Sequence, residues 1–288
     1  MVPYARRVPD DHPPVQPVRR LVDEVETRRA NRRDWDAYAD EYQATHGEFL
    51  RDDGFVWGPE GIDESELRIL GGVDGKSVLE IGCGAAQCAR SLVARGARSF
   101  GLDLSFRQLQ HSRRIDDALD LRVPVVLGTA TDLPFADKSF DVAFSSFGAL
   151  QFVEDIARCV AEVARVLRPG GRFAFSITHP IRWSMPDDPS SEGLVVTSSY
   201  WDRTPYVEED PDTGEAKYVE HHRTLGDWVA LLAGEGFRIV RLDEPQWPEG
   251  HDRIWGGWGP ERGRLIPGTA IIAADFDPPS EPKTVGAP

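Results

Sequence analysis

A doubly wound α/β fold, with a mostly parallel sheet covered by helices on both faces, is predicted by three observations. Short apolar runs without polar alternation recur between helical patterns from Ser77 onward, as strands buried on both sides require. The stretch Val78-Leu79-Glu80-Ile81-Gly82-Cys83-Gly84-Ala85-Ala86 carries one such run into a glycine turn and then into a helix. Arg168-Pro169-Gly170-Gly171 closes a long helical pattern ahead of the next strand, because proline stops a helix and glycine permits the reversal.

In chain order, residues 1–33 carry Pro3, Pro9, Pro13, Pro14 and Pro17 and little to bury, and predict a flexible arm. From Asp34 the pattern changes. Trp35, Tyr38, Ala39 and Tyr42 recur at helical spacing and put large aromatics on one face. After the break at Gly58-Pro59 the spacing predicts a short helix over 63–70 and a buried strand over 77–81. Helix 86–95, strand 98–102, helix 105–118, strands 124–127 and 140–146, helix 153–167 and strand 171–177 follow. Residues 180–222, rich in Pro, Asp, Ser and aromatics, break the alternation and read as an insertion. A helix over 224–235 and strands over about 237–243 and 268–275 complete the pattern, and 277–288 are expected to be a disordered tail. No internal repeat is present.

Length and composition fit one large domain, or one domain with a lid, since 288 residues with 40% apolar side chains can bury a full core. A formal net charge of -15 repels a phosphate backbone, so nucleic acid is not an expected partner. The arginines at 6, 7, 19, 20, 28, 29, 32 and 33 are interspersed with Asp10, Asp11, Asp23, Glu24 and Glu26, which predicts a solvated arm rather than a basic patch. No run of about eighteen apolar residues exists to span a bilayer, and Met1 to Arg33 has no signal-peptide core, so a cytoplasmic location is expected. Cys83, Cys88 and Cys159 form neither a disulfide framework nor a metal spacing, which predicts reduced thiols and no bound metal.

The chemistry concentrates at the glycine turn. Gly82 and Gly84 let main chain approach a ligand where a side chain would clash. Asp103 ends the next strand, at a spacing from which a carboxylate accepts both ribose hydroxyls of an adenosine. Its local alternative is a cap for the helix near Ser105, a role that Ser105 can fill itself. Two cofactor classes share this architecture. A nicotinamide dinucleotide wants a third small residue where Gln87 stands, and its diphosphate sits poorly beside Glu80. The cationic amino-acid end of S-adenosylmethionine suits Glu80, so charge selects that cofactor.

Glu80-Ile81-Gly82-Cys83-Gly84, Asp103, Leu133-Pro134-Phe135-Ala136-Asp137-Lys138-Ser139-Phe140-Asp141 and Arg165-Val166-Leu167-Arg168-Pro169-Gly170-Gly171 resemble the successive motifs of class I S-adenosylmethionine-dependent methyltransferases. The similarity is greatest to the small-molecule branch that includes ubiquinone and menaquinone biosynthesis enzymes. The resemblance implies a Rossmann-like, seven-stranded sheet with an antiparallel last strand. It also implies a methyltransferase domain over 34–276, in which 34–70 form a helical lid and 180–222 lie over the acceptor site. The family commonly has Asp where this chain has Thr129, so adenine recognition falls to Thr129, to the Ala130 backbone or to neighbouring Asp132. Cys83, Leu104, Gln108, Ser145 and Phe147, beside these motifs, complete the expected cofactor site.

A sulfonium methyl is already activated, so alignment and exclusion of water are the main requirements. A base is needed only for a hydroxyl or carbon acid acceptor. His179, just past strand 171–177, is the first candidate, and His222, in a His-Arg segment similar to one in the small-molecule branch, is the second. Local packing is the competing role for His179. Tyr38, Tyr42 and Trp57 are expected to form an aromatic wall over the sulfonium, with core packing as the alternative. Phe147, Gly148 and the Trp247–Trp258 segment are expected to line a pocket for an apolar or aromatic small molecule. The competing functions are an NAD(P)-dependent oxidoreductase and a non-catalytic adenosine-ligand binder.

Overall fold

A computed structural model describes residues 15–277; the arm expected over 1–14 and the tail expected from 278 onward lie outside the described residues. The elements run β1 (Gln16–Arg19), α1 (Glu24–Leu50), α2 (Glu64–Leu67), β2 (Ser77–Ile81), α3 (Gln87–Val93), β3 (Arg98–Asp103), α4 (Phe106–Leu119), β4 (Val125–Leu127) and β5 (Phe140–Ser146). They continue with α5 (Ile156–Val166), β6 (Leu167–Thr178), β7 (Tyr206–Glu209), β8 (Ala216–Glu220), α6 (Leu225–Gly234), β9 (Phe237–Asp243), α7 (Pro260–Gly263) and β10 (Thr269–Phe276).

Seven strands form the main sheet in the order β4-β3-β2-β5-β6-β10-β9. The pairings from β4 to β6 are parallel, and β10 inserts antiparallel to both β6 and β9. Apolar side chains cover both faces because alternate residues of a strand point opposite ways. Leu79, Ile81, Phe173 and Phe175 pack with Val160, Val163 and Trp228 on one side. Val78, Val142, Phe144 and Ala174 pack with Phe55, Trp57 and Leu70 on the other. The chain winds outward from β2 to β4 and then crosses back to β5 on the far side of β2. The loops leaving β2 and β5 therefore diverge, and a crevice opens at their carboxyl ends.

Residues 15–33 correct the expected arm. β1 pairs antiparallel with β7, and α1 starts at Glu24, capped by Asp23, whose side chain accepts the Glu26 amide proton. The insertion is likewise more regular than its composition indicates. β7 and β8 form a hairpin, and with β1 they build a second sheet in the order β1-β7-β8. Ala30 of α1 packs on that sheet against Val207, Ala216 and Val219. Asn31 extends the pairing pattern with its side chain, donating to the Val219 carbonyl at 3.0 Å and accepting from the Val219 amide at 2.8 Å. The prolines and charges of this region hide its hairpin from a local reading, and β1 finds its partner β7 about 190 residues away.

The other face of α1 is held across the crevice. Asp36 accepts hydrogen bonds from Ser105 Oγ at 2.8 Å and the Arg107 amide at 3.0 Å. Asp40 pairs with Arg107 at 2.7 Å and with His111 at 2.7 Å. Among the described residues, no helix is long and apolar enough to cross a membrane, and no His, Cys, Asp and Glu cluster is placed to hold a metal ion.

Candidate active site

The crevice between β2 and β5 deepens into a cleft roofed by α1. Its floor depends on two glycines. Gly82 has φ of +70°, and a Cβ there would lie 2.6 Å from the Ala149 Cβ. At Gly148 a Cβ would lie 2.4 Å from the Gly82 carbonyl oxygen, so the β2 and β5 loops meet backbone to backbone. Phe147, between β5 and that contact, adopts φ of +56°, an uncommon conformation for a bulky residue; its amide donates to Ser176 Oγ at 2.8 Å.

Two carboxylates border this floor. Glu80 is buried, accepts the Ala89 amide proton at 2.8 Å, and is pushed up to about 8 by burial. Asp103 accepts the Gly84 amide at 2.7 Å through Oδ2 and the Ser105 amide at 2.8 Å through Oδ1. Burial raises it to about 6 against the opposing pull of those amides. Each oxygen retains lone-pair capacity for a ligand hydroxyl. Ser105 caps α4 itself, accepting the Gln108 amide at 3.1 Å, which leaves Asp103 free of the capping role.

At the far end of the cleft stand Gly128, Thr129 and Ala130, with Glu24 and Arg28 of α1 opposite. Thr131 Oγ1 donates to Glu24 at 3.1 Å, and Thr129 Oγ1 lies 3.0 Å from Thr131 Oγ1. Gln43 closes the roof nearer the glycine turn. It donates to Gln108 at 2.9 Å and accepts from Gln87 at 3.1 Å.

A second, larger chamber adjoins the first and shares Trp35, Tyr42, Phe147, Phe152 and Trp255 with it. Trp35 sits edge-on to Tyr42 and to Phe152, both with centroids 5.6 Å apart. Tyr38, His46, Tyr218 and Trp258 extend this aromatic lining. Its polar end holds Arg182, which pairs with Glu220 at 2.7 Å and Asp187 at 3.4 Å; Tyr218 donates to Glu220 as well. Burial raises the Asp187 carboxyl.

Residues 79–175 match the family model described as a methyltransferase domain. A demethylmenaquinone methyltransferase of Thermobifida fusca is 41% identical over 111 residues, which are 38% of this chain and 47% of that one. The ubiquinone biosynthesis O-methyltransferase of Alkalilimnicola ehrlichii is 34% identical over 134 residues, 42% of this chain and 53% of that one. This chain spans about half the length of these curated relatives. A solved S-adenosylmethionine-dependent methyltransferase of Mesorhizobium loti shares 29% identity and a TM-score of 0.59, over 76% of this chain and 100% of that one. Residues 79–175 thus carry a methyltransferase domain, and the fold around them is similar to that of solved S-adenosylmethionine-dependent methyltransferases.

The residues of the cleft fit S-adenosylmethionine. Glu80 is a desolvated carboxyl with one amide donor and suits an ammonium group, and Asp103 suits paired hydroxyls. Gln87 occupies the start of α3 and turns its side chain to Gln43 of the roof, so the position where a dinucleotide requires a small residue is filled.

The structure brings together most of the predicted site. Tyr42, Glu80, Gly82, Cys83, Gly84, Asp103, Leu104, Gln108, Thr129, Ala130 and Phe147 all border the cleft. The Cys83 side chain, though, packs among Ala86, Ala89, Leu109 and Val123. Tyr38 borders only the adjoining chamber.

Four expectations are corrected. Trp57 is 1% exposed and lies under the sheet beside Phe55 and Phe144, its indole donating to Glu64 at 2.9 Å. Ser145 is fully buried and faces away, and Ser146 borders the cleft instead, as alternation along β5 dictates. His179 borders neither cavity. Its Nδ1 accepts the Ile181 amide at 3.1 Å and its Nε2 pairs with Glu244 at 2.8 Å, so the ring shapes the turn ahead of Pro180. His222 also borders neither cavity; its Nε2 donates to the Tyr200 carbonyl at 2.7 Å and its ring lies 5.4 Å from that of Trp183. Burial lowers both imidazoles.

Sequence reasoning missed Glu24, Arg28 and Gln43 as parts of the cleft. They sit on a polar helix whose register against the cleft is set by the second sheet, and only the aromatic spacing of Trp35, Tyr38 and Tyr42 signals that face.

Proposed function

We propose that the protein transfers a methyl group from S-adenosylmethionine to a planar, largely apolar small molecule held in the aromatic chamber. The observation that carries this reading is the shared wall: Phe147, Trp35, Tyr42 and Trp255 border both cavities, so a donor in one and an acceptor in the other meet there. When bound, the cofactor supplies a sulfonium methyl that needs no further activation. The protein's own residues then have three tasks. Glu80, Asp103 and the 82–84 turn fix the donor, the aromatic wall orients the acceptor, and α1 with its Gln43 bridge keeps water out. Aromatic faces near a cation add attraction of about 0.5–2 kcal/mol.

No histidine from the expected pair reaches the shared wall, so the reading uses alignment rather than a His179 or His222 base. The relatives named for demethylmenaquinone methylation and ubiquinone biosynthesis support an aromatic ring as acceptor. The test is incubation with methyl-labelled cofactor and a metabolite extract, followed by mass identification of the labelled product. A labelled small aromatic product together with S-adenosylhomocysteine is expected. Label in protein or nucleic acid overturns the substrate class.

A further inference from the structure

We propose that Glu24, on the first turn of α1, accepts the hydrogen bond from the exocyclic amino group of the bound adenine. The inference rests on the S-adenosylmethionine reading of the cleft. Asp103 sets where the ribose lies, and the cleft continues from there past Leu104 to Thr129 and Ala130, which is the space left for a purine. A 6-aminopurine presents a donor at its exocyclic position where a 6-oxopurine presents an acceptor, so a protein acceptor facing that position favours the amino form.

The 128–130 loop holds no carboxylate, and the hydrogen-bond order of its hydroxyls points to the helix. Thr131 Oγ1 has one proton, which goes to Glu24 at 3.1 Å. The 3.0 Å contact between Thr129 and Thr131 therefore carries the Thr129 proton. Both hydroxyl protons run toward Glu24, whose carboxylate is the acceptor at the end of the chain. Arg28, 3.8 Å away on the next turn, supports its charge. Burial outweighs these partners and raises the Glu24 carboxyl, so the group is short of donors. The adenine amino group supplies one.

Position is secured independently of the ligand. Arg20, just before the helix, pairs with Glu26 at 2.6 Å and with Glu209 of β7 at 3.0 Å, so the second sheet fixes the first turn of α1. Specificity for adenine thus comes from outside the sheet that holds the rest of the nucleoside.

The experiment compares calorimetric binding of S-adenosylhomocysteine and S-inosylhomocysteine, in which a 6-oxo group replaces the 6-amino group. It uses the full chain, Glu24→Gln and Glu24→Ala, with far-UV circular dichroism to confirm folding. The unaltered chain is expected to favour the adenosine ligand by about tenfold or more, as a lost charge-assisted hydrogen bond implies. Glu24→Gln, which is isosteric and offers a donor to the 6-oxo group, is expected to reduce the preference to less than about threefold. Equal binding of both ligands by the unaltered chain, or an unchanged preference in both variants, overturns the role of Glu24 and leaves the cofactor reading intact. Failure of the folded, unaltered chain to bind either ligand overturns the cofactor reading and the inference with it.

Discussion

Asp103 and Gly84 are joined by a 2.7 Å hydrogen bond from the Gly84 amide to Asp103 Oδ2, so a carboxylate that borders the cleft also pins the turn beneath it. Asp103→Ala is therefore expected to remove both a ribose contact and the anchor of the 82–84 backbone. Calorimetry should show S-adenosylhomocysteine affinity reduced by about a hundredfold, the loss of a charged partner to buried donors. Asp103→Asn, which keeps the shape, should lose less.

Glu80 couples binding to protons. Its folded value of about 8 lies above the ordinary 4.5, so between those values the folded chain holds a proton that the unfolded chain has released. Stability therefore falls as pH rises through that window, and Glu80→Gln should flatten the slope. An ammonium group in the cleft favours the ionised carboxylate, so cofactor binding should expel a proton near neutral pH and tighten as pH rises toward about 8. Titration calorimetry in buffers of different ionisation enthalpy measures that proton directly.

Gly82→Ala forces a Cβ into the Ala149 side chain at a left-handed backbone position. A stability loss of about 1–3 kcal/mol is expected, read as a lower denaturant midpoint at unchanged slope. Cofactor binding should weaken with it, because the turn and the 147–149 loop move together.

Tyr38 borders the aromatic chamber and not the cofactor cleft. Tyr38→Ala should raise the acceptor KM by about tenfold, the worth of a lost aromatic contact, while the S-adenosylhomocysteine Kd stays within about twofold. Parallel changes in both constants would return Tyr38 to the cofactor wall.

His179→Ala and His222→Ala should lower the melting temperature, since each ring is buried and hydrogen-bonded. Each should keep the shape of the pH-rate profile and about a third or more of kcat. Loss of an ionisation from that profile would restore a base.

The strands of the main sheet, the order of helix and strand within it, and the glycine turn were legible because each is a local signal. A mostly apolar run at 77–81, a glycine pair and a carboxylate at the end of β3 all fall within about twenty-seven residues. Parity was the weaker point: Ser145 and Ser146 differ only in which side of β5 they face, and composition does not fix the phase of a strand. The histidines show another limit. His179 follows a strand that reaches the acceptor edge, yet its ring folds back to Ile181 and Glu244. The contribution of Glu24 was beyond a local reading, because it depends on β1 finding β7.

The second sheet also sets the timetable of assembly. Asn31 on α1 waits for Val219, and Arg20 for Glu209, so the first turns of the helix that roofs the cleft cannot lock until the chain has been synthesised past β8. Loop closure over so long a separation is slow compared with winding a helix. A ribosome-bound chain that has reached only the end of β6 would hold α1 by Asp36, Asp40 and Gln43, with the first turns of the helix still lacking the strands that fix them.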